Sequence, residues 1–180
     1  GRHLYVDIHT GIFPGIYLIT STLLGLFGRE VLVTRWAAVG VNVVTVVALF
    51  QVGRHFMSLR WASLAPLLHL VLIAMAFPVL SMFNYSTLAV AFGLVALWCL
   101  LRYLEAGKNL DALLLGLFVA AAALTKQNFG ALIFLSLLLA LIWNRKDSVL
   151  ATRDWPRTLF PIAASGAGLT FVVILYFLFE

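Results

Sequence analysis

Charge is what this 180-residue sequence has least of. Twelve Lys and Arg and seven Asp and Glu make up 11% of it, against 63% apolar residues and a mean hydropathy of +1.07. A soluble domain carries about 25% charged residues, so a soluble globular fold is excluded. There is one cysteine, Cys99, which leaves neither a disulfide framework nor a thiolate metal cluster. Regular alternation of polar and apolar residues is absent, which excludes the strands of an outer-membrane barrel. No metal-ligand spacing, P-loop, glycine-rich dinucleotide turn or Ser/His/Asp order is present, so no metal or cofactor is called for. The net charge of +5 is no nucleic-acid signal, because in a membrane protein excess Lys and Arg mostly sets orientation.

What remains is a series of long uncharged runs, the mark of an all-α polytopic transmembrane bundle. Trp36–Gly53 is a run of 18 residues, 41 residues separate Arg60 from Arg102, and Thr158–Phe179 is a run of 22. The 41-residue stretch holds two spans, broken at Pro78 and at Ser81-Met82-Phe83-Asn84-Tyr85-Ser86. Residues 13–27 start near Pro14 and stop before Gly28, a well-punctuated helix. At about 22 Å it is short for a span, and Thr20, Ser21 and Thr22 interrupt its middle, so it is expected along the interface. The expected organisation is one transmembrane domain over 1–180. It comprises an outer loop over 1–12, the interfacial helix over 13–27, and about six spans over 31–53, 61–80, 84–101, 109–125, 129–144 and 158–179. With no initiator Met and no visible signal peptide, the chain reads as an internal piece of a larger membrane protein.

Alternation of six spans collects Arg54, Arg60, Arg102, Lys108, Arg145, Lys146, Arg153 and Arg157 on one side, and Arg2, Arg29, Arg35 and Lys126 on the other. The positive-inside rule makes the first side cytoplasmic, so Lys126 and the N-terminal loop face outward.

Lys126 is the organising residue. It is the only charge between Asp111 and Arg145, with 14 uncharged residues before it and 18 after. One helix over Leu110–Trp143 would run about 51 Å and leave an ammonium in a hydrocarbon core about 30 Å thick. Two spans meeting at Thr125-Lys126-Gln127-Asn128 avoid that. Lys126 is then either a side chain snorkelling to the headgroups or an anchor for an anionic headgroup, with Gln127 and Asn128 as neutral donors. Asp7 and His9, in Tyr5-Val6-Asp7-Ile8-His9-Thr10-Gly11, are either a solvated loop or a carboxylate base beside a cationic donor. Arg35 is either an interfacial anchor or a phosphate-binding fork. Asn42 and His69 fall at similar depth in antiparallel spans, so a hydrogen bond between them is expected, in a structural role. Gly25, Gly40, Gly93, Gly116, Gly130, Gly166 and Gly168 are expected at helix contacts.

The order of these pieces resembles a family. Asp7 to Leu18, Leu26-Phe27-Gly28, Arg35 at the start of the next span, and Ala123-Leu124-Thr125-Lys126-Gln127-Asn128-Phe129-Gly130 resemble the polytopic GT-C glycosyltransferases. The bacterial protein O-mannosyltransferases and aminoarabinose–lipid A transferases are the nearest in pattern, over residues 5–145. The resemblance implies a bacterial inner-membrane enzyme that moves a sugar from a polyprenyl-phosphate carrier to an outer-face acceptor: a lipid, a glycan or a protein. It implies Asp7 as a catalytic carboxylate and His9, Arg35, Lys126, Gln127 and Asn128 as substrate-binding residues. Three departures stand out. His9-Thr10-Gly11 replaces a Lys-Pro-Pro, the family's presumed base lies further upstream, and the Asn84-Tyr85 region is neutral where relatives are acidic. The alternative is a piece of a transporter or lipid flippase, which would place ionisable groups at mid-depth along a water-lined path.

Overall fold

The computed structural model describes residues 14–76, 82–144 and 155–179. They form helices without strands: α1 Gly15–Phe27, α2 Val31–Phe56, α3 Leu59–Ala62, α4 Leu64–Met75, α5 Tyr85–Ala106, α6 Asn109–Thr125, α7 Gln127–Asn144 and α8 Trp155–Phe179. The fold is an all-α helical bundle.

Local chemistry sets the ends. Gly28 stops α1 at φ 100°, returning its N–H to Leu24 O at 3.1 Å. Gly107 stops α5 in the left-handed region, φ 62°, with its N–H on Tyr103 O at 2.9 Å, as a residue with no Cβ readily does. Asn84 starts α5: its Oδ1 accepts from Ser86 N at 2.8 Å and Thr87 N at 3.0 Å, satisfying two orphan first-turn donors. Ser63 separates α3 from α4, so the stretch expected as one helix over 61–80 begins with a kink. Pro66 follows in the first turn of α4, where its missing N–H costs no helical bond.

Helix directions follow from cross-helix contacts. His55 Nδ1 lies 3.3 Å from Glu105 Oε1, so α2 and α5 finish at the same end and run parallel. The offset between Ser86 and Lys126 recurs between Gly93 and Ile133, so α5 and α7 also run parallel. The helix α6 is central, packing on α1, α5, α7 and α8. Its core with α5 and α7 is built from Ala96, Cys99, Leu100, Tyr103, Ala112, Leu115, Val119, Leu137 and Leu141.

The helices α2 and α5 are long and apolar enough to cross a membrane. Only 17% of the most apolar window of α2 is buried, whereas the core helix of a soluble protein would be mostly covered. Val39, Val43, Val47, Leu67, Leu68 and Val71 stand exposed on α2 and α4. In water such a surface would drive association. In a bilayer it is the lipid-facing side.

Candidate functional site

Lys126 is the one residue between α6 and α7, with extended backbone angles φ −147° and ψ 98°. Its N–H closes α6 on Ala122 O at 2.8 Å, and its carbonyl opens α7 by accepting from Gly130 N at 2.9 Å. The first-turn N–H groups of an 18-residue helix therefore start immediately after the ammonium-bearing residue. Fixed charge and helix dipole favour an anion at the same place.

The Lys126 side chain is half-buried and turns towards α5. Its Nζ donates to Ser86 Oγ at 3.0 Å and sits 5.3 Å from the centroid of the Tyr85 ring. Gly15, at the start of α1, lies so close that an added Cβ would come 2.7 Å from Leu124 O. The starts of α1, α5 and α7 thus converge on the end of α6.

Arg35 lies at the same level. It precedes His55 by 20 residues, as Tyr85 precedes Glu105 by 20, and the His55–Glu105 contact joins the parallel helices α2 and α5. Equal rise, about 1.5 Å per residue, brings Arg35 and Tyr85 to one depth. Arg35 is exposed, as are Gln127 and Asn128. Gln127 lines the rim of a groove of about 710 Å³ between α6, α7 and α8, whose walls include Val119, Ala123, Phe134, Leu138 and Ala163. Asp7 and His9 lie outside the described residues.

Lys126, Gln127 and Asn128 are contiguous at one end of the bundle, and Arg35 shares their level without a described contact to Lys126. Tyr85 and Ser86 were missed as partners. Their position at the end of the expected break, on the same side as Lys126, was the available signal. Asn42 and His69 sit away from this end and satisfy each other. His69 Nε2 lies 3.2 Å from Asn42 Oδ1, and Asn42 Nδ2 donates to Ala38 O at 2.9 Å. Among the described residues, no group of three or more His, Cys, Asp or Glu is placed to hold a metal ion.

No curated protein and no solved structure matches the chain. The family model described as dolichyl-phosphate-mannose-protein mannosyltransferase matches residues 13–177, from the start of α1 into the last turn of α8. The match takes in the α1 start, the α5 start and the Lys126 break together. The chain therefore belongs to the dolichyl-phosphate-mannose-protein mannosyltransferase family, membrane glycosyltransferases of the GT-C type.

Proposed function

We propose that the Lys126 end of the bundle receives the phosphate of a polyprenyl-phosphate sugar, whose sugar the full-length protein transfers at the outer membrane face. The observation that carries this is the coincidence of a half-buried ammonium with the N-terminus of α7. A snorkelling lysine would reach for water, but this one is turned across the bundle to α5.

The chemistry is displacement at the anomeric carbon. The acceptor hydroxyl forms the new C–O bond as its proton leaves to a carboxylate, and the sugar–phosphate bond breaks with its electron pair on the phosphate. A phosphate is already a good leaving group. Lys126, Gln127, Asn128 and Arg35 then act by binding and neutralising the departing charge. Asp7 as the carboxylate and His9 as a second donor to the phosphate rest on the family resemblance. The groove beside Gln127, apolar along α6, α7 and α8, suits a lipid chain whose head stays at Lys126.

Two further parts of the proposal are topological. The start of α1 meets Leu124 and Thr125, and its end joins α2 through Gly28–Glu30. Both ends are tied to the Lys126 end, which supports an interfacial α1. Arg54, Arg102 and Lys108 stand at the opposite end, which supports that end as cytoplasmic in a bacterial inner membrane. The transporter alternative predicts ionisable groups at mid-depth along a water-lined path. Asn42 and His69 lie away from the bundle ends, and their contact with each other supports a structural role.

The test is Lys126→Ala in the full-length protein, assayed for sugar transfer from a polyprenyl-phosphate donor. Transfer should fall by about two orders of magnitude or more, within the range for removing a group that stabilises transition-state charge, with the unfolding temperature retained. Unchanged transfer would reduce Lys126 to a membrane anchor.

A further inference from the structure

We infer that Ser86 and Tyr85, in the first turn of α5, are positioning residues that hold the Lys126 ammonium in place. An anionic headgroup would then meet a fixed charge and not a mobile one. This rests on the headgroup site proposed above.

A lysine ammonium sits on a flexible four-carbon stem and is costly to order. It carries three donor hydrogens. One goes to Ser86 Oγ at 3.0 Å, and the face of the Tyr85 ring, 5.3 Å from Nζ, attracts the same charge. A hydroxyl that accepts still has a proton to donate, so Ser86 can offer a second hydrogen bond to whatever anion Lys126 holds.

The holder is itself held. The N–H groups of Ser86 and Thr87 are tied to Asn84 Oδ1, and Thr87 Oγ1 donates to Asn84 O at 3.0 Å. With two of its first-turn donors occupied in this way, the start of α5 contributes mainly through side chains, whereas α7 offers its backbone. The separation of the two helices is fixed lower down. A Cβ on Gly93 would come 2.6 Å from Ile133 Cδ1 and 3.1 Å from Phe129 Cε1. Ser86 to Lys126 and Gly93 to Ile133 are both 40 positions apart. They lie seven residues along each helix, about two turns. Two contacts in one register leave little freedom for the Lys126–Ser86 distance.

The experiment uses full-length protein reconstituted in lipid nanodiscs, with binding of farnesyl phosphate as the direct probe and sugar transfer as the second readout. Ser86→Ala should weaken farnesyl phosphate binding and lower kcat/KM about three- to tenfold, the scale of one ordinary hydrogen bond, since Ser86 acts on the anion through Lys126. Ser86→Thr should restore both. Tyr85→Phe should leave binding unchanged, and Tyr85→Leu should weaken it about two- to fivefold. In a Lys126→Ala background, Ser86→Ala should cost nothing more. An equal loss in both backgrounds would mean that Ser86 acts on the fold, and would overturn the inference. So would full binding in Ser86→Ala while Lys126→Ala abolishes it, an outcome that leaves the headgroup site standing. If Lys126→Ala binds farnesyl phosphate normally, the headgroup site falls and the positioning role with it.

Discussion

His69 on α4 meets Asn42 on α2 across 3.2 Å, between antiparallel helices and away from both bundle ends. The contact point is the amide oxygen, so His69 Nε2 carries the hydrogen, while the Asn42 amide nitrogen is spent on Ala38 O. In hydrocarbon no water replaces a lost partner. A double-mutant cycle with Asn42→Leu and His69→Leu, read by unfolding in bicelles, should show a coupling of about 0.5–1.5 kcal/mol. Additive effects would make the contact incidental. Sugar transfer should be little affected in either single variant, because the pair has no described contact with the Lys126 end.

Arg102 and Asp111 join α5 to α6 at the opposite end of the bundle, with Arg102 Nε 3.2 Å from Asp111 Oδ1. The two are not equally placed. The Asp111 side chain is 2% exposed and neither oxygen has a well-aligned hydrogen bond, whereas Arg102 is 45% exposed and also lies over the Trp98 ring. Removing the arginine strands a buried charge, while removing the carboxylate frees a cation that can reach water. Arg102→Leu should therefore cost up to about 3 kcal/mol, and Asp111→Asn distinctly less. Thermal unfolding of both variants in one detergent decides it, and the reverse order would refute the asymmetry.

The glycines divide by their surroundings. A Cβ on Gly130 would fall on the backbone of Ala123, and one on Gly116 would meet Ile162 O and Ser165. Among the described residues, nothing lies within 4 Å of a Cβ on Gly25, Gly40 or Gly168, so the expectation that every one marks a helix contact fails for these three. Gly130→Ala should force α6 and α7 apart at a cost of about 1–3 kcal/mol, displacing Lys126 one turn away and lowering transfer. Gly40→Ala should leave the unfolding temperature unchanged or raise it, since alanine is the better helix former by about 0.8–1.0 kcal/mol. Equal effects at the two positions would count against the close packing.

The same contrast shows what was legible in the sequence. The fold class and the helix break at Lys126 follow from the spacing of charges against bilayer thickness, which needs no knowledge of packing. The Asn42–His69 contact was legible for the same reason: equal depth on consecutive helices leaves few other partners. Ser86 as the partner of Lys126 was not. Depth places both at one end, but the choice of neighbour depends on the lateral order of α5, α6 and α7, which one-dimensional periodicity does not carry. The open glycines were misjudged on the same ground, because crowding is a property of the neighbouring helix.

Arg35 offers a test of that lateral and vertical order. It is level with Tyr85 through the parallel run of α2 and α5, and Tyr85 carries the Lys126 ammonium on its ring. Arg35 and Gln127 should therefore face one side of the membrane, with Arg54 and Lys108 on the other. Cys99 is the sole cysteine of these 180 residues and is buried, so a full-length background with Cys99→Ala and every cysteine outside this stretch replaced permits single-cysteine labelling with an impermeant maleimide. In intact cells Arg35→Cys and Gln127→Cys should label directly, and Arg54→Cys and Lys108→Cys only after permeabilisation. Reversal of all four would invert the orientation while keeping the bundle. Labelling of Arg35→Cys and Gln127→Cys from opposite sides would break the parallel register and remove Arg35 from the phosphate site.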